Sequence, residues 1–305
     1  MDLETSCVNP AIDEGPFGMF LSAVREGIDS SMRQALEGVA SRDIEEHLMC
    51  GKRLRGGLTV LLHDALGGTS RSAAFDLAAA VEISHAVCLI IDDMLDRDIT
   101  RRDLPAVHVH LGLMGAIMEV FGLLSVPYGI ASRYGGRAAG RLAHAHLLIV
   151  KGAKMEMGDL GDSWTHYREL TSLKTGELFA LAAAYGALSA GAEEEVLDAA
   201  SEFGRRCGIA LQIADDMMDM DRGAEPPGCS GPMLARLLRM DEEGVRTGHR
   251  MLDASVKEAR EAAATLISLS PGTDAALHGC VLGAPEEMVR MMLGERHLLP
   301  ARDKG

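Results

Sequence analysis

The sequence predicts an all-α fold, a single domain over residues 1–305 built as a bundle of about ten helices. Three observations lead there. Apolar residues recur at helical spacing through most of the chain. Aromatic residues make up 4% of the sequence while Ala, Leu, Met and Gly are plentiful, a balance that favours helices over strands. No stretch alternates apolar and polar residues as a half-buried strand would.

Residues 17–38 place Phe17, Phe20, Leu21, Val24, Ile28 and Met32 on one side of a helix. Residues 53–66 and 72–97 read as two more, separated by Gly67-Gly68. "RDLPAVHVHLG" reads as a connector, because Pro105 disfavours helix in the residue before it. Residues 113–132 are strongly apolar, with Pro127 as the expected kink. Helices over 137–160, 167–190 and 193–220 follow, the last ended by "DRGAEPPGCSGP". Shorter helices near 231–240, 242–267, 274–282 and 284–295 complete the chain.

With 47% hydrophobic and 25% charged residues, the composition is that of a soluble globular protein. A net charge of −15 speaks against a nucleic-acid binder. It would also repel an anionic substrate unless metal ions or local basic residues intervened. The cysteines at 7, 50, 88, 207, 229 and 280 are scattered without a CxxC pair, which argues against a zinc ribbon or thioredoxin motif and suits a reducing cytoplasm. "MDLETSCVNP" is acidic without an apolar core and does not read as a secretory signal. No run of about eighteen uninterrupted apolar residues occurs, so no membrane span is expected.

The chemistry concentrates in "CLIIDDMLDRDITRR", residues 88–102, where an apolar run enters a group of carboxylates. On a helix Asp92 and Asp96 share a face at i, i+4, with Asp93 beside them. Unpaired like charges at that spacing destabilise a helix, and a helix C-terminus is the wrong end for carboxylates. Mg²⁺, which takes oxygen ligands, would compensate. "CGIALQIADDMMDMDRG" repeats the arrangement with Asp215, Asp216 and Asp219. One DDxxD reads most simply as a solvated acidic turn; two, each after an apolar run, point to metal ions holding a polyanion such as a diphosphate. Asp98 reads as a solvated charge.

Basic residues supply the counterpart. "CGKRLRGG" sets Lys52, Arg53 and Arg55 at a helix start, where cations oppose the dipole and an anionic partner fits; a basic surface turn is the alternative. Arg101 and Arg102 follow the first cluster directly, either as anion ligands or as charge balance. "SLKTGELF" places Lys174 and Thr175 in an apolar helix, where a snorkelling surface lysine is the alternative. His85 lies two turns before Asp92 on the same face, as a ligand or as a hydrogen-bonded core histidine. Histidines 108, 110, 144, 146, 166 and 249 form no zinc spacing.

In this order and spacing, "GKRLR", "EISHAVCLIIDDMLDRDITRR", "PAVH", "KTGELF" and "LQIADDMMD" resemble the trans-isoprenyl diphosphate synthases, over about residues 50–220. The resemblance implies an all-α isoprenoid-synthase fold around a central cavity, and a homodimer. It implies Mg²⁺, about three ions with substrate bound, held by Asp92, Asp93 and Asp96 and by Asp215, Asp216 and Asp219. By position, Arg101 would contact an allylic diphosphate, and Lys52, Arg55, His85 and Arg102 would hold isopentenyl diphosphate. Lys174, Thr175 and Gln212 would lie against the reacting allylic carbon. The apolar run before Asp92 would line the product tunnel, with Val87 and Cys88 at the places that limit chain length in the family. Neither is aromatic, nor are Ser84 and Val81 deeper down, which implies a geranylgeranyl (C20) product. Met114, Met118 and Phe121 on the next helix are candidates for the tunnel floor or for plain core packing.

Several family features differ. Asp103 stands where a glycine usually follows the arginine pair, and no Gly-Asp pair occurs within "LMGAIMEVFGLL". The Gln…Asp element expected near 152–158 reads "GAKMEMG". The loop after the second motif lacks the usual lysine, and Arg302 and Lys304 read as a frayed tail. Competing readings are a non-catalytic or regulatory subunit on the same fold, a synthase of farnesyl or longer-chain diphosphates, and a terpene cyclase. Two complete DDxxD motifs and the GKRLR element speak against the subunit and the cyclase.

Overall fold

Apolar spacing decides where the helices form, and contacts from distant segments decide where they begin. A computed structural model describes residues 15–102, 104–158, 163–221, 234, 242–270 and 274–294. The predicted helix 231–240, Asp103, Arg302, Lys304 and the loop after the second motif lie, but for Leu234 and Asp221, outside them.

Helix α1 (Pro16–Leu36) starts at a proline and buries Phe17, Leu21, Val24, Ile28, Met32 and Leu36, a stripe at helical period. Its first turn is capped from far along the chain: Phe17 N and Gly18 N donate to Glu287 Oε2 at 2.8 and 3.2 Å. Helix α2 (Arg42–Met49) was not expected; Ile44 and Leu48 are its buried positions, too few to show a period. Helices α3 (Leu54–Ala65) and α4 (Arg71–Asp96) match the expected segments. A short antiparallel ribbon, β1 (Thr100–Arg101) with β2 (Leu104–Pro105), then turns the chain back. Strands of this length carry no alternation to read, which is why the sequence shows none.

Helix α5 (Val107–Arg133) starts inside the predicted connector, and its break falls at Gly112 (φ 69°) instead of at Pro127. Only glycine takes that conformation without strain. Helix α6 (Gly136–Glu156) ends before the predicted boundary. The run expected over 167–190 divides into α7 (Trp164–Thr171), a π-helical turn (Ser172–Gly176) and α8 (Glu177–Ser189). Helices α9 (Glu194–Asp221), α10 (Glu242–Ser268) and α11 (Ala275–Leu293) follow. Two helices were expected where α11 runs continuously through Pro285. Proline removes one hydrogen bond there, and burial of Val281, Ala284, Met288 and Met291 on both sides keeps the axis intact.

Helix α4 is the axis of the bundle, packed by α1, α3, α5 and α8. Helices α4 and α5 are long and apolar enough to cross a membrane by length and composition alone, a test that a core helix also passes. Helix α4 is instead core, with Leu77 to Ile83 and Val87 sealed from solvent but for a 5% exposed Glu82. Helix α5 turns an apolar stripe outward: Met114, Met118 and Phe121 are 70%, 65% and 69% exposed.

Close helix packing positions the π turn. A Cβ added at Gly208 of α9 would stand 2.8 Å from the Gly176 Cα and 3.1 Å from the Thr175 carbonyl oxygen. Because both are backbone atoms, Gly208→Ala is expected to destabilise by about 1–3 kcal/mol, read as a lower urea midpoint. An unchanged midpoint would show that the two helices can separate freely.

Candidate active site

The carboxylates at the end of α4 divide between two faces. Asp92 and Asp96 look one way, Asp92 half-buried and Asp96 exposed. Asp93, one step round the helix, is 2% exposed. It accepts from Arg101 Nε at 2.8 Å, the arginine being delivered by the ribbon that follows the helix. Asp98, with its side chain 35% exposed, lies 3.5 Å from Arg101. Burial, the largest effect, pushes the Asp92 carboxyl above its ordinary range; Lys174 opposes this, and Glu156 and Asp96 add to it.

Helix α9 repeats the division. Asp215 and Asp219 share a face at i, i+4 and are half-buried. Asp216 is held by protein donors: Tyr167 Oη donates to Oδ2 at 2.7 Å and Gln212 Nε2 to Oδ1 at 2.8 Å. Burial raises Asp216 to about 7; these hydrogen bonds oppose the shift, and Asp215 and Asp219 increase it. In each motif, then, the middle aspartate accepts hydrogen bonds from other side chains, and the outer two share a face at i, i+4.

The π turn joins the motifs. Lys174 Nζ donates to Glu156 Oε2 at 2.6 Å and stands 3.6 Å from Asp92 Oδ1. The next residue, Thr175, donates through Oγ1 to Gln212 Oε1 at 2.5 Å, and Gln212 leads on to Asp216. One dipeptide therefore touches both aspartate helices. π turns recur at functional sites because the extra residue re-aims its neighbours. Lys174 is no snorkelling surface residue: burial lowers its pKa, but Asp92 and Glu156 outweigh that and raise it.

On the other side of α4 the GKRLR residues separate. Arg53, in a left-handed conformation (φ 60°), is 3% exposed, and its Nε donates to Asp29 Oδ1 at 2.6 Å. Lys52 Nζ donates to the Met291 carbonyl at 2.6 Å. Arg55 lies with its guanidinium carbon 4.3 Å from the Phe179 ring centroid, and its buried Nε has no hydrogen-bond partner. Burial lowers Arg55 to about 10, with Glu82, Cys88 and Asp215 opposing. The field of Asp215 thus reaches the GKRLR turn. Arg102 donates to the Cys50 carbonyl. His85 is held neutral, first by burial and then by Arg55 and Arg102. Arg55, His85 and Arg102 lie close enough to act on one another electrostatically, while Lys52 reaches toward Met291.

Among the described residues, no three His, Cys, Asp or Glu groups converge into a ready-made metal cage. Mg²⁺ usually takes one or two carboxylates and completes its shell with water and substrate phosphates. The all-oxygen pairs Asp92/Asp96 and Asp215/Asp219 fit that ion. Val87 is fully buried and Cys88 half-buried. Phe121 does not lie below them: at 69% exposure it faces outward, with Met114 and Met118, and cannot close an interior tunnel of its own chain.

Four residues escaped the sequence reading. Glu156 carries a carboxylate to Lys174 from within "GAKMEMG", which stands where a Gln…Asp element was expected. Tyr167 and Asp29 left no local signal, since their partners lie far along the chain or on the next element. Glu82 had one, a lone acid inside an apolar helix.

The polyprenyl synthetase family model matches residues 40–228. Geranylgeranyl diphosphate synthase of Methanosarcina mazei is 38% identical over 188 residues, 58% of this chain and 57% of that protein. The chain thus aligns with little more than half the length of that relative. Nonaprenyl diphosphate synthase of Mycobacterium tuberculosis is 30% identical over 286 residues, 83% of this chain and 82% of its own. A crystal structure of geranylgeranyl pyrophosphate synthase superposes with a TM-score of 0.75 at 19% identity, covering 88% of this chain and 98% of the other. At that identity the likeness speaks to the fold.

Proposed function

Because this chain belongs to the polyprenyl synthetase family, we propose that it is a Mg²⁺-dependent trans-prenyltransferase that joins isopentenyl diphosphate to an allylic diphosphate and yields geranylgeranyl diphosphate. The observation that carries the reading is the Lys174–Thr175 pair: Lys174 stands 3.6 Å from Asp92, and Thr175 donates to Gln212, which in turn donates to Asp216. Two acidic motifs joined through one dipeptide suit a single diphosphate held between them.

Asp92 and Asp96, with Asp215 and Asp219, are the carboxylates that would hold Mg²⁺, which when bound neutralises the allylic diphosphate as a leaving group. Arg101, oriented by Asp93 and Asp98, contacts that diphosphate. Lys174 stands where negative charge grows as the allylic C–O bond breaks. Lys52, Arg55, His85 and Arg102 bind isopentenyl diphosphate and aim its double bond at the allylic cation. The new C–C bond forms, and the proton lost from the isopentenyl unit passes to the departing diphosphate, so no dedicated protein base is needed. Thr175 and Gln212 flank the reacting carbon with oxygen dipoles. Val87 and Cys88 border the growing hydrocarbon, whose burial is worth about 0.8 kcal/mol per CH₂. The absence of an aromatic plug there supports the C20 product.

The outward stripe of α5 supports a homodimer: contiguous exposed apolar surface of this kind marks an interaction face, and a second copy covers it isologously. Phe121→Glu is expected to convert a dimer to a monomer in light scattering; a dimer that persists removes this face from the contact. The reaction is tested by incubating the protein with Mg²⁺, isopentenyl diphosphate and C5, C10 or C15 allylic diphosphates. Elongated product and released diphosphate are expected. No turnover with any pair would overturn the reaction, and C15 as sole product would overturn the chain length.

A further inference from the structure

We propose that Glu82 is a positioning residue for the isopentenyl-diphosphate side of the site, holding the Arg55–Gly56 peptide at the start of α3 and so aiming Arg55. The inference rests on the function proposed above and names a residue that function does not use.

Glu82 lies on α4, one turn before His85, and is 5% exposed. Its Oε1 accepts the Gly56 N–H at 2.7 Å. That N–H is among the first of α3, which have no partner within their own helix. The N-cap residue Arg53 supplies no side-chain cap. The sequence suggested an anionic partner for this helix start, and the structure puts a protein carboxylate there. The N–H belongs to the peptide that joins Arg55 to Gly56, so the contact fixes the backbone from which the Arg55 side chain departs. The fit is close: a Cβ at Gly56 would meet Glu82 Cγ and Ile28 Cγ2, each at 3.2 Å. Among the described residues the buried Arg55 Nε has no hydrogen-bond partner to fix its direction. The Phe179 ring supports the guanidinium from one side. A buried carboxylate is disfavoured unless donors and cations surround it. Arg25, Arg55 and Arg102 all feel Glu82 electrostatically. Glu82 thus connects the α3 turn to the helix that carries both His85 and the first aspartate motif.

Two conservative variants separate contact from charge. Glu82→Gln keeps the length and an accepting oxygen but loses the charge. Glu82→Asp keeps the charge but falls one methylene short of Gly56. The probe is inorganic pyrophosphate without metal, titrated calorimetrically into the full chain; without metal the aspartate face repels it, which leaves the basic side. Glu82→Asp is expected to weaken binding about tenfold, as for one lost charge-assisted hydrogen bond; Glu82→Gln should stay within about threefold of the parent. In steady state Glu82→Asp should raise KM for isopentenyl diphosphate alone, with KM for the allylic diphosphate unchanged. Parent-like pyrophosphate binding by Glu82→Asp, equal weakening in both variants, or equal rises in both KM values would overturn the proposal. A parent protein that binds pyrophosphate yet elongates nothing would defeat the proposed reaction and leave the pyrophosphate comparison readable.

Discussion

Asp92→Asn and Asp215→Asn are each expected to lower kcat/KM for condensation by about 10²- to 10³-fold, the scale of losing one principal electrostatic stabiliser of a leaving group. The fold should not suffer. Asp92 is half-buried, and its ion pair to Lys174 is long, at 3.6 Å. Burial already disfavours its charge, so the neutral amide should leave the melting temperature level or raise it. Asp92→Asn should also raise the Mg²⁺ concentration needed for half-maximal rate. Asp93→Asn provides the contrast. Its carboxylate is bound to Arg101, so its loss should weaken allylic diphosphate binding without moving the Mg²⁺ requirement. Near-parent rates in either outer-aspartate variant would sink the metal assignment. Equal Mg²⁺ shifts for Asp92→Asn and Asp93→Asn would return Asp93 to the ligand set that the sequence suggested.

Asp29→Ala is expected to destabilise the protein by about 3–5 kcal/mol, because it strands a buried guanidinium. The side chain of Arg53 is 2% exposed and its closest charged contact is Asp29, at 2.6 Å. Arg53 also donates to the Met49 carbonyl at 2.6 Å, which places the effect toward the lower end. Urea denaturation reads the loss directly. Adding Arg53→Met to Asp29→Leu should recover part of it, since removing both charges avoids the stranded ion. A loss below about 1 kcal/mol would mean that water reaches Arg53 once Asp29 is gone. Arg53 sits between Lys52 and Arg55, so the same pair sets the path of the GKRLR turn.

Much was legible in advance. The helical period of α1 shows in Phe17, Leu21, Val24 and Ile28 because each faces one core. The acidic motifs showed through local spacing. The errors have physical causes. Helix α2 is too short for a period, and the break in α5 depends on the φ of Gly112 rather than on residue type at Pro127. Phe121 was a candidate floor because a sequence does not say which way an apolar helix faces when all its sides are apolar. The structure turns it outward.

The sequence by itself determined the all-α class, the two DDxxD motifs and the basic residues paired with them, since these depend on period and spacing along one helix. Only the tertiary structure decided which partner each charge meets. It tied Asp93 to Arg101, and Asp216 to Tyr167 and Gln212. It set Arg53 in the core, turned Lys174 toward Asp92, and brought Glu156, Tyr167 and Glu82 to their partners. A buried charge is stable only where partners from other segments meet it, and no local spacing records which segments those are.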